Sequence, residues 1–310
     1  MGRLAQTLGL SFPMIIYLDQ NKWIELSKMF HGKDKSARAG RVLNSFKQSV
    51  ATRSAITPLS AIHYMETSRI SNLGRRSRLG ETMWEISQGF TIANYSVVVR
   101  VELAKALSKH FPQITAPELV TIARGSAHAF GLPPMSGLRA AFETKIERSM
   151  LVGDPTINLE PLAFKQERYR DDFRMHLLTL LDRSKSVPEN MKENWLYATV
   201  TADMALALSD VLQEYNLSLV ELESLGVDRM RSVVDDMPTR HLDLHLRRQV
   251  LANPKYVPKL TDLEDWAGLG VAACYCDVVV CEKHMADMLR RNRYKTKARI
   301  EIDIENAFST

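Results

Sequence analysis

Residues 14–19 read Met-Ile-Ile-Tyr-Leu-Asp, a short apolar run that ends on an acid. An uninterrupted apolar run of this length is typical of a strand buried on both faces of a parallel sheet. Near the other end of the chain, residues 277–282 read Asp-Val-Val-Val-Cys-Glu, a β-branched run that also ends on an acid. The two segments predict two parallel strands, each followed at once by a carboxylate.

Helix signals surround these two strands. Three helices are predicted beside them, over residues 21–29, 262–273 and 283–291. Residues 55–59 are a further candidate strand, and Ser60 after it is typical of an N-cap, with His63 as the third helical residue. Because strands alternate with helices, we expect an α/β fold with a parallel sheet.

The chain divides into three zones. Residues 12–95 and 256–310 carry the strand–helix alternation and predict a discontinuous core. Residues 96–255 are predicted to be mostly helical, since Leu103, Leu107 and Phe111 fall on one helical face. We interpret this middle zone as a large helical insertion or lid.

The composition of the chain limits the kinds of function that the protein can have. The chain has 310 residues, 45% of them hydrophobic, and a formal net charge of +5, which favours anionic partners such as nucleic acid. Three clustered cysteines and a first apolar run too short to cross a bilayer predict a cytoplasmic protein with no membrane partner. Neither a glycine-rich phosphate loop nor a Gly-x-Ser-x-Gly elbow is present.

Acids cluster around the predicted strand ends. Asp19 and Glu282 follow the two strands, and sites in open α/β sheets form outside the carboxyl ends of strands. Asp262 and Asp265 are three apart and share a helical face, and Glu66 lies on the helix after residues 55–59. Such a set suits Mg²⁺ or Mn²⁺, which prefer oxygen ligands and promote in-line phosphodiester displacement.

Four segments resemble the successive motifs of PIN-like nucleases. YLDQNKWI (17–24) resembles the opening strand with its first acid, and PLSAIHYMET (58–67) resembles the helix that presents a glutamate. DLEDWAGLGVAA (262–273) resembles the helix opened by an aspartate, and YCDVVVCEK (275–283) resembles the last strand with its closing acid. The resemblance covers both ends of the chain and leaves the middle unexplained.

The resemblance implies a PIN-like parallel sheet flanked by helices and a Mg²⁺- or Mn²⁺-dependent endoribonuclease. Asp19, Glu66 and Asp265 would be the core metal ligands and catalytic residues. Asp277 and Glu282 are alternatives for the fourth acid of the metal site. Asp277 is our catalytic candidate, and both are candidate metal ligands. Asp262 is an additional candidate ligand beside Asp265.

The last motif departs from the common family pattern of a threonine, a spacer and an aspartate. Cys281 stands in the place of the threonine, Glu282 follows it directly, and Lys283 occupies the usual aspartate position. Many family members are toxins of toxin–antitoxin pairs or effectors of phage defence. An antitoxin or regulatory protein and a second copy of the chain are therefore open as partners.

Basic residues follow several of the proposed ligands and predict contacts with substrate phosphates. The predicted nucleic-acid-binding residues are Arg75, Arg76, Arg240, Lys283, Arg290, Arg291, Arg293 and Lys295. Tyr294 lies between Arg293 and Lys295, so we expect its ring to stack on a base of the bound nucleic acid. His241 and His245 share a helical face, for which an exposed amphipathic helix is a better explanation than a zinc site.

Three functions remain open from the sequence. The leading prediction is an RNA-cleaving enzyme. A structure-specific DNA nuclease is the second, because RNA and DNA present the same phosphates to a metal site. A catalytically inactive module that binds nucleic acid or assembles with a partner is the third, and the altered last motif favours it.

Overall fold

The computed structural model describes residues 13–134, 136–137, 142–153, 160–253 and 255–309. The strands of these residues are β1 (Met14–Leu18), β2 (Ala55–Ile56), β3 (Phe90–Ile92), β4 (Ile122–Arg124), β5 (Val278–Val280) and β6 (Arg299–Glu301). In this part of the chain, a four-stranded parallel sheet has the order β2-β1-β5-β6, and β3 pairs with β4 antiparallel. Leu59 joins the two sheets through a parallel bridge to Thr91.

The register of β1 and β5 fixes where their ends meet. Ile16 pairs with Val278 and Leu18 pairs with Val280, so both strands finish at the same level. The backbone N–H of Asp19 continues the ladder by donating to the carbonyl of Val280 at 2.9 Å. The residues after β1 and β5 therefore lie side by side at one edge of the sheet.

Helices make up most of the described chain. Those of the two terminal zones are α1 (Gln20–Phe30), α2 (Ala37–Thr52), α3 (Ala61–Ser68), α4 (Leu73–Ser87), and then α14 (Asp262–Tyr275) and α15 (Lys283–Arg290). Those between them are α5 (Tyr95–Leu107), α6 (Ser126–Phe130), α7 (Glu143–Val152), α8 (Glu160–Ser184), α9 (Lys192–Ala202), α10 (Ala205–Glu214), α11 (Leu219–Glu223), α12 (Gly226–Asp235) and α13 (Pro238–Ala252). Short 3-10 helices cover Glu189–Met191, Arg291–Arg293 and Ile304–Phe308.

The predicted α/β class with a parallel sheet is confirmed. The three helices predicted beside the strands are α1, α14 and α15, with bounds within two residues of those expected. The capping of α3 by Ser60 and His63 is also confirmed. Strand β6 was not predicted from the sequence, and the middle zone contains β4 as well as helices.

The middle helices share a hydrophobic core with the sheet. One buried cluster joins Tyr17 of β1 and Val279 of β5 to Leu177 of α8 and Leu242 of α13. A second cluster lies on the opposite face of β1, around Ile16 and Leu18. Burial of large apolar side chains from both zones in one cluster stabilises them together.

Among the residues that the structure describes, no helix is long and apolar enough to cross a membrane.

Candidate functional site

Asp19 lies at the carboxyl end of β1 and is also the N-cap of α1. Its carboxylate accepts a hydrogen bond from the backbone N–H of Gln20 at 2.7 Å. The side chain is half-buried, because α1 turns away from the sheet edge immediately after it. An N-cap aspartate can be purely structural, so the surroundings of Asp19 decide its role.

Helix α3 is anchored to the end of β1 and brings Glu66 to the same edge. The imidazole of His63 accepts from the backbone N–H of Ser60 at 2.9 Å and donates to the carbonyl of Leu18 at 2.9 Å. One turn further along, the side-chain amide of Gln20 donates to the hydroxyl of Thr67 at 3.1 Å. Gln20 and Thr67, which follow Asp19 and Glu66 in the chain, are therefore hydrogen-bonded to each other.

Helix α14 approaches β1 and α3 closely through a glycine. A Cβ at Gly268 would lie 2.9 Å from the hydroxyl of Tyr17 and 3.4 Å from a side-chain carbon of Ile62. Gly268 is three residues after Asp265, so the close contact and the acid lie on one side of α14. The absence of a side chain at Gly268 thus brings Asp265 towards Asp19 and Glu66.

The three acids influence one another electrostatically. Burial is the main cause of a raised pKa in each: about 6 for Asp19, about 7 for Asp265 and about 8 for Glu66. Repulsion from Asp19 raises the pKa of both other acids further. Carboxyl groups that raise each other's pKa lie close together and favour a cation or a proton between them.

Glu282 completes this group, which we call the carboxylate cluster: Asp19, Glu66, Asp265 and Glu282. It is exposed at the start of α15 and accepts a hydrogen bond from the side-chain amide of Asn21. Its charge raises the pKa of Asp19 and of Asp265. Of the two alternatives for the last acid, the structure brings Glu282 to the cluster.

Asp277 lies at the opposite edge of the sheet. Its carboxylate accepts from the backbone N–H of Ile15 at 2.8 Å and pairs with Lys297 at 3.2 Å. Asp19 is four residues beyond Ile15, or about 13 Å along a strand. The placement corrects the assignment of Asp277 as a catalytic or metal-binding residue, because Asp277 precedes β5 whereas the cluster follows it.

Asp262 supports the start of α14 and does not extend into the cluster. Its carboxylate accepts from the hydroxyl of Tyr256 at 2.6 Å and from the backbone N–H of Lys259 at 2.8 Å. The side chain is buried, and its charge raises the pKa of Asp265. The structure therefore gives Asp262 a positioning role beside Asp265 instead of a place among the ligands.

Glu264 was not predicted from the sequence. Its buried carboxylate forms ion pairs with Arg69 at 3.1 Å and with Arg170 at 3.0 Å. It also raises the pKa of Glu66 and of Asp265. Arg170 lies on α8, so this ion pair ties the middle zone to the helices of the cluster, and only long-range contacts could have identified it.

The donor set of the cluster suits a hard divalent cation. All four side chains offer carboxylate oxygens, and Mg²⁺ keeps several waters while binding one or two carboxylates directly. Within the described part of the chain, no three His, Cys, Asp or Glu side chains are arranged to hold a metal ion directly. The fit is therefore to a hydrated ion and rests on donor chemistry and mutual repulsion.

The predicted nucleic-acid contacts separate into three groups. Exposed side chains, which remain available to a phosphate, are Arg75, Lys283, Arg291, Arg293 and Lys295. Arg76 donates to the carbonyl of Met150 at 2.9 Å, and Arg290 donates to the carbonyl of Ile300, so both tie elements together. Arg240 is buried in an ionic network, which corrects its assignment as a surface phosphate contact.

Tyr294 and the two histidines of α13 pack on each other. Tyr294 stacks on His245 with ring centroids 4.2 Å apart, and its hydroxyl is 3.1 Å from Nδ1 of His241. The ring of Tyr294 is therefore already stacked, which corrects the expectation that it receives a base. Most of α13 is buried, whereas the sequence predicted an exposed helix.

Compared with protein-family models, curated proteins and solved structures, the chain gives no significant match. The functional assignment therefore depends on the chemistry of the carboxylate cluster and of its surroundings.

Proposed function

We propose that this protein is a metal-dependent nuclease of the PIN-like kind that hydrolyses RNA phosphodiester bonds. The observation that supports this proposal is the carboxylate cluster, in which acids from both ends of the chain lie at one sheet edge and Asp19 raises the pKa of Glu66 and of Asp265. A parallel sheet with its acids beyond the carboxyl ends of β1 and β5 also supports a PIN-like fold.

Each residue of the cluster has a separate part in this proposal. Asp19, Glu66 and Asp265 would hold a hydrated Mg²⁺ or Mn²⁺, in part through its waters, and Glu282 would add negative charge from the exposed side. The bound metal supplies charge neutralisation and a more acidic water for in-line attack on a phosphodiester. Lys22, which pairs with Glu25 at 3.5 Å, lowers the pKa of Asp19 and so adds positive charge near the cluster.

The exposed basic residues support a nucleic-acid substrate, and we propose RNA over DNA because the resemblance to PIN-like nucleases implies it. Lys283 begins α15 directly after Glu282, and Arg291, Arg293 and Lys295 follow that helix. A basic segment next to the cluster would hold the backbone of a strand through phosphate contacts. We also propose that the protein acts as a toxin or a phage-defence effector. Its partner would be an antitoxin, a regulatory protein or a second copy of the chain.

A nucleic-acid-binding module without catalysis is the second candidate. Two observations favour it: no group of described side chains is arranged to hold a metal directly, and Lys283 stands where the family has its last acid. In that case the cluster would serve the packing of α1, α3 and α14 around the end of β1.

The proposal is tested by incubating the purified protein with labelled single-stranded RNA, tRNA and single-stranded DNA in Mn²⁺, Mg²⁺ or EDTA. We expect RNA cleavage that requires the metal and falls to the EDTA background in Asp19→Asn. Asp277→Asn is the matched control, because it makes the same change at the opposite sheet edge. It should cleave as the wild type does.

Other outcomes would contradict the proposal. Cleavage of DNA alone would replace it with a DNA nuclease. RNA binding that weakens with salt, without cleavage in either metal, would favour the binding module. Equal loss of activity in both variants would remove the carboxylate cluster from the mechanism.

A further inference from the structure

A cavity of about 900 Å³ lies beside the carboxylate cluster. Its walls come from strand β3 and from helices α3, α5, α6, α8, α13 and α14. Met65 and Glu264 line it, and they are the chain neighbours of Glu66 and Asp265. Its volume is within the range of small-molecule sites.

Five aromatic rings from four elements line the cavity. They are Tyr95 of α5, Phe130 of α6, Tyr169 and Phe173 of α8, and Trp266 of α14. Phe173 and Trp266 meet edge to face, with ring centroids 5.7 Å apart. Walls of this kind favour a flat aromatic ligand, since a planar ring can lie against their faces.

A buried ionic network forms the polar end of the cavity. Arg240 pairs with Asp243 at 2.9 Å, and Arg247 pairs with the same carboxylate at 3.0 Å and with Asp203. Both arginines are less than 5% exposed. Nε of Arg240 and Nη1 of Arg247 are buried with no hydrogen-bond partner among the described residues.

The net charge at the polar end of the cavity indicates whether an anionic or a neutral ligand binds there. Asp203 and Asp243 neutralise the two arginines, and the other two acids of the lining are also paired, Glu264 with Arg69 and Arg170 and Asp172 with Arg168. An anion such as a phosphate gains little in such a site, because it meets no excess of positive charge. A neutral ring with both donors and acceptors on its edge can bond the guanidinium and carboxylate groups together.

We propose that this cavity binds a nucleobase, with its ring between the aromatic walls and its polar edge at the Arg240–Asp243 network. The base can come from a free nucleoside or from an RNA strand whose phosphate lies at the carboxylate cluster. The second source rests on the proposed function. It requires the base to be turned out of any helix, as enzymes that act on single nucleotides do.

Gly270 offers a way to close the cavity without disturbing the fold. It lines the cavity from α14, and a Cβ at this position would meet no atom within 4 Å. Gly270→Leu should fill the space, whereas Gly270→Ala adds only the Cβ and leaves most of it open. Binding of adenosine, guanosine, cytidine, uridine and an RNA trinucleotide is measured by calorimetry in EDTA, with ribose 5-phosphate as the probe that lacks a base.

We expect at least one nucleoside or the trinucleotide to bind, and ribose 5-phosphate not to bind. Affinity should fall by about tenfold or more in Gly270→Leu and stay within about twofold in Gly270→Ala. If the trinucleotide displaces the nucleoside, the base that the cavity binds belongs to an RNA strand. If the nucleoside binds and the trinucleotide does not displace it, the ligand of the cavity is a free nucleoside. Because EDTA prevents metal-dependent cleavage, the result does not depend on whether the protein is a nuclease.

Two results would overturn the proposal. One is that no nucleoside and no trinucleotide binds the wild-type protein. The other is that folded Gly270→Leu binds as tightly as the wild type. If Gly270→Leu does not fold, Phe173→Ala replaces it, with Met175→Ala as control, since Met175 is exposed on the same helix and outside the lining. Equal binding by these two variants would overturn the proposal in the same way.

Discussion

The imidazole of His63 connects three parts of the candidate site. It bonds the start of α3 through Ser60 and the end of β1 through Leu18, and it stacks on Tyr17 at 5.1 Å between ring centroids. Burial lowers its pKa to about 3, so the ring is neutral at physiological pH. Its Nδ1 must accept from Ser60, which leaves the proton on Nε2 for Leu18.

Replacement of His63 by leucine tests this connection. His63→Leu leaves a buried N–H of Ser60 and a buried C=O of Leu18 without partners, at a cost of about 2–4 kcal/mol in the free energy of unfolding. Urea denaturation measures the loss, and His284→Ala, at an exposed site, is the control. A variant as stable as the wild type would mean that water replaces both hydrogen bonds.

At the scale of single elements, α14 carries the acid Asp265, the close approach at Gly268 and part of the cavity wall, which both Gly268 and Gly270 line. Asp265 and Gly268 face β1 and α3, while Gly270 lies in open space on the cavity wall. The two glycines therefore differ in how closely other atoms pack against them, although they are two residues apart. Only at Gly268 does packing require the missing side chain.

The pair Gly268→Ala and Gly270→Ala separates packing from helix propensity. Both changes favour the helix by up to about 1 kcal/mol. We expect Gly270→Ala to raise the melting temperature and Gly268→Ala to lower it, because its Cβ would press against the hydroxyl of Tyr17. Thermal melts followed by circular dichroism measure both, and stabilisation by Gly268→Ala would show that α14 can move away from β1 at no cost.

The elements found from the sequence are those with a strong local pattern. Strand β5 is three consecutive valines, and α3 begins with a capping box, so both could be predicted. Strand β6 holds Arg299 and Glu301 around a single buried residue, and its charges resemble a basic surface segment. Such an edge strand is recognised only by its pairing with β5.

At the scale of the whole molecule, the carboxylate cluster makes stability depend on pH. The pKa values of Asp19, Asp265 and Glu66 are raised to about 6, 7 and 8, so the folded chain binds more protons than the unfolded chain above pH 6.5. Stability therefore falls as the pH rises from 6.5 to 8. Below pH 6.5 neutral His63 acts in the opposite direction, because the unfolded chain then binds its proton first.

We expect the free energy of unfolding in EDTA to decrease by about 1–2 kcal/mol between pH 6.5 and pH 8, after allowance for solvent screening. Asp265→Asn should reduce this slope, and Mn²⁺ should also reduce it by neutralising the cluster. Urea denaturation at the two pH values measures the slope, with Asp277→Asn as control. Identical slopes with and without Mn²⁺ would contradict a cation site at the cluster.

The middle zone shows how charge was misjudged from sequence alone. Asp203 lies between α9 and α10 and pairs with buried Arg247. Arg240 suggested a surface contact and is buried beside it. A charged residue looks the same in sequence whether it is solvated or paired, because its partner is distant along the chain.

The sequence by itself determined the strands β1 and β5, the helices beside them and the acids that follow them, since apolar runs, caps and turn positions are local signals. Tertiary structure alone decided which acids meet. Glu282 joins Asp19 because β1 and β5 end in register, and Asp277 is excluded because the same register places it at the other edge. The cavity and its ionic network were likewise invisible in the sequence, because they form where helices from distant parts of the chain pack together.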